Sequence, residues 1–91
     1  MGTGVDRAAA IRIKVLFFGR LKEVAGISEA CVEVSQGAHI EELFHQYVCG
    51  KPELAAYRSS LVASRNQEFV TWNTVLEAGD EIAFLPPVSG G

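Results

Sequence analysis

The chain has 91 residues, with 8 Lys and Arg against 11 Asp and Glu for a formal net charge of −3, and 48% of its residues are hydrophobic. That length allows one domain, burying about 60% of the surface its unfolded form exposes, and the acidic balance argues against a nucleic-acid binder, which needs a basic face. Two His, two Cys and one Trp make an inventory of reactive side chains too thin for a self-contained enzyme.

Residues 1–10 read as a flexible N-terminal arm, rich in Gly and Ala and without periodicity. Asp6 and Arg7 interrupt any apolar stretch there, so no export signal is expected, and Asp6 stands where a myristoylation signal needs Ser or Thr. The longest apolar run, Val15 to Phe18, is far short of the ~20 residues that cross a bilayer. The expected compartment is the cytoplasm, where Cys31 and Cys49 stay reduced.

The domain proper is predicted over 11–85. Ile11, Ile13, Val15 and Phe17 alternate with Arg12, Lys14, Leu16 and Phe18, which predicts a half-buried strand with the odd positions inward, ended by Gly19. Leu21 to Ala25 predicts one helical turn closed by Gly26. A second strand follows at 29–34, with Ala30, Val32 and Val34 on one face and Glu29, Cys31 and Glu33 on the other. After the Gln36-Gly37 turn the period becomes helical, with Ile40, Leu43, Phe44, Tyr47 and Val48 on one stripe. Gly50 is placed to stop that helix. His39 predicts a weak N-cap, helped by Glu41 and Glu42 at the positive end of the helix dipole.

Pro52 can open a short second helix with Leu54 and Tyr57 inward. Leu61 to Arg65 predicts a third strand, and Asn66-Gln67-Glu68 a hairpin turn into Phe69-Val70. Residues 76–80 read as a turn before the last strand, Glu81 to Leu85, and Pro86-Pro87 stop the sheet because proline has no N–H for the ladder. The element order predicts an α+β fold, a mixed sheet of about five strands packed on one main helix. It fits the ubiquitin-like β-grasp, in which the first and last strands lie parallel at the sheet centre.

Residues 86–91, Pro86-Pro87-Val88-Ser89-Gly90-Gly91, read as an extended C-terminal tail. The prolines hold the chain near polyproline II geometry, so it projects. Gly90 and Gly91 have no Cβ and pass through a channel too narrow for other residues. The end group of such a tail is the main-chain carboxylate of Gly91.

With Lys14-Val15-Leu16-Phe17-Phe18 near the start, Leu76 and Gly79-Asp80-Glu81-Ile82-Ala83 before the tail, Asn66 in the hairpin and the Pro-Pro-Val-Ser-Gly-Gly ending, the chain resembles the small, sulfur-carrying subunits of molybdopterin synthases. The resemblance runs from about residue 13 to residue 91. It implies that an activating enzyme of the ubiquitin-activating type, an adenylyltransferase and sulfurtransferase, uses ATP to adenylate Gly91, and that a sulfur donor converts the adenylate to a thiocarboxylate. Pro86, Pro87, Val88, Ser89 and Gly90 then thread Gly91 into the large subunit, in a heterotetramer. There the sulfur passes to cyclic pyranopterin monophosphate, and two transfers build the molybdopterin dithiolene. The chain would bind no cofactor of its own, no nucleic acid and no membrane, and would act as an enzyme only as half of a heteromeric sulfurtransferase. Three alternatives stay open: a sulfur carrier for thiamin or tRNA thiolation, a protein modifier joined to lysines, and a non-catalytic interaction module.

Strand phase adds an interface. Phe18 is predicted on the outer face with Arg12 and Lys14, and Leu85 and Ala83 outward from the last strand. In a β-grasp Phe18 and Leu85 then sit side by side where the tail departs, and Phe69 joins them. Clustered apolar side chains of this kind mark a partner site, although single exposed hydrophobes are ordinary. The resemblance assigns matching positions to large-subunit contact. His39 and His45 are six apart with no Cys or carboxylate partner, which is no metal signature. Cys31 between Glu29 and Glu33 is expected to be unreactive, and Trp72 to be a packing residue.

Overall fold

The alternating segment at the start forms β1 (Ala10–Phe17) in the computed structural model, which describes residues 10–86. Residues 1–9 of the predicted arm 1–10 and the tail residues Pro87, Val88, Ser89, Gly90 and Gly91 lie outside the described residues, and Ala10, predicted in the arm, belongs to β1. β1 begins one residue before the apolar alternation because Ala10 already pairs with Ser35 of β2 (Glu29–Ser35). Between them α1 (Arg20–Ala25) makes its short turn and ends on Gly26, whose φ of 80° is the left-handed cap that glycine adopts without a Cβ penalty.

The main helix, α2, spans Ile40–Gly50 and buries Ile40, Leu43 and Phe44. Gly50 does not stop it, contrary to the expectation. The chain leaves helical geometry at Lys51 (φ −137°) because Pro52 follows, and the proline ring excludes the α region for the residue before it. His39 is better capped than its side chain suggests: its backbone N–H donates to Glu42 Oε1 at 2.7 Å, and its Nδ1 lies 3.0 Å from the same oxygen. That contact is the Glu half of a capping box. Residues Pro52–Ser60 form a 3₁₀ helix that buries Leu54. Leu61 is its buried cap, so β3 (Val62–Arg65) starts one residue later than predicted. β4 is Glu68–Val70 and β5 is Glu81–Leu85.

The sheet order is β2-β1-β5-β3-β4. β1 and β5 are parallel neighbours at its centre, with Val15 opposite Ile82 and Phe17 opposite Phe84. The other pairs, β1–β2, β3–β5 and β3–β4, are antiparallel. With α2 across one face, this is the ubiquitin-like β-grasp. Ile13, Val15, Phe17, Ile82 and Phe84 are the inward row, all at most 1% exposed. Phe84 is the hub of the aromatic packing, with centroids 5.8 Å from Phe17, 5.1 Å from Phe44 and 5.3 Å from a stacked Trp72. Arg58 covers Trp72, 3.5 Å above the ring centroid, and its Nε donates to both Glu41 oxygens at 3.0 and 3.1 Å. Trp72 is therefore a packing residue, as expected. Among the described residues no helix is long and apolar enough to cross a membrane.

A polar network closes the sheet at the start of β5. Asn66 and Gln67 both take positive φ (52° and 73°), the pattern of a two-residue I′ hairpin. Asn66 Nδ2 donates to Asp80 Oδ1 at 3.1 Å, and its Oδ1 accepts from the Glu81 N–H at 2.9 Å. Asp80 is only 5% exposed. Its Oδ2 takes the Glu77 N–H at 2.8 Å and Arg65 Nε at 3.1 Å. The residue that looked like a plain turn position thus fixes where β5 starts.

Candidate functional site

The outer sheet face divides into a charged half and an apolar half. Near the start of β1, Arg12 meets Glu33 at 3.5 Å, and Lys14 lies between Glu29 at 3.4 Å and Glu81 at 3.9 Å. Toward the exit of β5 the same face turns apolar. The alternation of β1 carries Leu16 and Phe18 outward, and that of β5 carries Ala83 and Leu85.

Leu16, Phe18, Ser64, Gln67, Phe69, Glu81, Ala83 and Leu85 line one open depression of about 290 Å³. The structure therefore brings Phe18, Phe69 and Leu85 together. Phe18 is 44% exposed and Phe69 74% exposed, whereas Leu85 is half-buried. Ala83 faces outward as expected but is buried, because the central strand is flanked by Leu16 and Ser64 on its neighbours. Sequence reasoning missed Leu16, Ser64 and Val62. Val62 is exposed and sits opposite Leu85 in the β3–β5 register, so it extends the apolar edge. The signal was available, because the phase that turned Phe18 outward turns Leu16 outward too.

The root of the tail is Pro86, the last described residue. It leans on Gly19, which has φ 61° and ψ −138°. A Cβ on Gly19 would stand 3.4 Å from Pro86 Cγ. Glycine is needed there for a backbone region that side chains avoid, whereas the proline ring would meet a Cβ only at ordinary contact distance. The rest of the predicted tail (Pro87, Val88, Ser89, Gly90 and Gly91) lies outside the described residues.

A larger concavity, about 500 Å³, lies at the start of α2 and is lined by His39, Glu41, Glu42, Trp72 and Asn73. Its polar groups are already used within the fold. Glu42 caps His39, and Glu41 is held by Arg58. The N–H groups of Ile40 and Glu41 donate to the carbonyls of Thr74 and Trp72 at 3.1 and 2.9 Å. These contacts hold both carboxyls below the usual glutamate range, Glu41 chiefly through the Arg58 hydrogen bond and Glu42 chiefly through the His39 N–H. The two carboxylates of this concavity are thus committed to contacts within the fold. Cys31 and Cys49 are both free thiols. Among the described residues no group of three His, Cys, Asp or Glu side chains could hold a metal ion.

The depression is thus an apolar surface with Ser64, Gln67 and Glu81 in its lining, beside the strand that leads to the tail. The proteins that this chain resembles include a sulfur carrier subunit and small archaeal modifiers. The model of the ThiS family matches residues 15–91. The molybdopterin synthase sulfur carrier subunit of Chlamydomonas reinhardtii is 41% identical over 83 residues, spanning 89% of this chain and 100% of that protein. Among solved structures, SAMP1 from Haloferax volcanii is 30% identical with a TM-score of 0.76, over 88% of this chain and 99% of that one. A chain in the complex of subunits 1 and 2 of the molybdopterin-converting factor from Helicobacter pylori is 28% identical with a TM-score of 0.64, over 89% of this chain and 100% of that one.

Proposed function

The chain belongs to the ThiS family, and on that premise we propose that it is the sulfur carrier subunit of a molybdopterin synthase, working in the cytoplasm with a large subunit that docks on the depression around Phe18, Phe69 and Leu85. A carboxylate is a poor electrophile and a poor nucleophile. In the proposed cycle an oxygen of the Gly91 carboxylate attacks the α-phosphorus of ATP on an activating enzyme, and pyrophosphate leaves. A donor of sulfide-level sulfur then attacks the acyl carbon, the bond to AMP breaks, and the terminus becomes a thiocarboxylate. Its sulfur is soft and stays ionised at neutral pH, as thiols of lowered pKa do. Pro86, Pro87, Val88, Ser89 and Gly90 carry it into the large subunit, where it is transferred to cyclic pyranopterin monophosphate. The large subunit must supply the acid–base groups and the positive charge for the substrate phosphate.

The observation that carries this reading is the position of β5. It lies beside β1 at the sheet centre and delivers Pro86 at the margin of the apolar depression, so a partner gripping the depression stands where the tail begins. The similarity to the Chlamydomonas reinhardtii subunit supports the choice of pathway, and the Helicobacter pylori complex supports a large-subunit partner. The likeness to SAMP1 favours a second reading, conjugation of Gly91 to lysine amines.

Intact-mass measurement separates the two. Incubation with the activating enzyme, ATP and a sulfur source is expected to raise the mass by the difference between one sulfur and one oxygen. A lysine adduct, or no shift, refutes the sulfur-carrier reading. Adding one alanine after Gly91 is expected to block the shift.

A further inference from the structure

Ser64 is out of place in the outer face. The β3 register sets it opposite Ala83 of β5 and Phe69 of β4, on the floor of the depression with Leu16, Phe18 and Leu85 around it. It is only 7% exposed. None of the side-chain hydrogen bonds among the described residues uses its Oγ. The hydroxyl is nevertheless not sealed in: among the described residues, only the Tyr47 hydroxyl is both fully enclosed and unpartnered. Ser64 Oγ therefore keeps a narrow opening into the depression.

A hydroxyl that meets water only through such an opening adds little to stability, and a partner that closes the opening must replace the water's hydrogen bond. For folding alone, alanine suits this floor better, as Ala83 beside it illustrates. The polar lining residues Gln67 and Glu81 lie at one end of the depression, Glu81 paired to Lys14, and Phe18 and Leu85 lie toward the other. Apolar walls, a polar end and one hydroxyl open only to the depression make up the anatomy of a docking pocket for a partner's group.

We propose that the Ser64 hydroxyl is the hydrogen-bonding anchor of the depression, and that the large subunit fills it with an apolar projection carrying a single hydrogen-bonding atom at its tip. This rests on the reading of the depression as the large-subunit docking surface. The walls supply affinity by covering apolar area. Ser64 supplies selectivity, because a purely apolar projection would bury its hydroxyl with no partner at all.

The test titrates the organism's own molybdopterin synthase large subunit onto the full chain and onto two variants, Ser64→Ala and Phe18→Asp. Ser64→Ala is expected to weaken binding about five- to tenfold. Its thermal midpoint, measured on the isolated chain, is expected to equal or exceed that of the unaltered protein. Opposite signs in the two measurements are something a merely structural serine cannot produce. Phe18→Asp is expected to abolish binding. If Phe18→Asp fails to bind while Ser64→Ala binds as tightly as the unaltered chain or tighter, the docking surface stands and the anchor is refuted. A lowered midpoint for Ser64→Ala assigns the hydroxyl to the fold and refutes the anchor as well. Normal binding by Phe18→Asp overturns the docking surface and the anchor with it.

Discussion

Phe69→Ala removes a ring that is 74% exposed in the isolated chain from a three-residue strand whose only ladder neighbour among the described residues is β3. The fold uses little of that ring, so the variant should unfold within about 1 kcal/mol of the unaltered protein. A phenylalanine can bury 150–250 Å², so about 150 Å² of this one is left for a partner to cover, worth up to ~4 kcal/mol at ~25 cal/mol per Å². After the ordering costs of association, a loss of about 2–3 kcal/mol is expected, which is ~30–150-fold in Kd. Calorimetric titration with the large subunit measures that loss, and urea unfolding of the free chain measures the other side. The heat-capacity change of binding should also become less negative, since less apolar area is covered. A Kd within about threefold of the unaltered value, with stability unchanged, would show that Phe69 stays in water in the complex and would refute the reasoning.

Three further outcomes follow from the fold. Asp80→Asn should destabilise by about 2–3 kcal/mol, because the amide cannot accept from Asn66, Glu77 and Arg65 together, and calorimetry should show a midpoint lower by roughly 10 °C or more. Tyr47→Phe should be neutral or stabilising by up to ~1 kcal/mol in urea unfolding, since the hydroxyl it removes is enclosed without a partner and folding strips it of water for nothing. Glu41 and Glu42 titrate below the ordinary 4.5 in the folded chain. Their contribution to stability is therefore complete above that value and lost as pH falls through their lower folded values. The urea midpoint should drop between about pH 5 and pH 3, and the drop should be shallower in the Glu41→Gln/Glu42→Gln double variant.

Much of this architecture could be read from strand phase alone. A period of two places every side chain once one is placed, so the alternation through Ile13, Val15 and Phe17 set the inward row. The same phase set Phe18 and Leu85 outward, and the position of β5 beside β1 then made them neighbours. What escaped depends on cross-strand company that no single segment encodes. Ala83 is buried on an outward face because of Leu16 and Ser64, and the strand pattern alone gave Ser64 no special place. Asp80 followed a glycine and resembled a turn residue, whereas two of its three donors, Asn66 and Arg65, come from the β3 hairpin. Gly50 carried a stop signal that Pro52 delivered one residue later.

The parallel pairing of β1 and β5 also has a mechanical meaning. Ala10 marks the end of β1 where the chain enters the sheet, and Pro86 follows the opposite end of its neighbour, β5. A pull on the tail against the rest of the chain therefore acts along the two strands and in opposite directions, so the hydrogen bonds joining them share the load together instead of opening one after another. In the proposed cycle, in which the tail passes from one enzyme to the next, the tail is thus tethered where the ladder hydrogen bonds of two central strands bear the traction together.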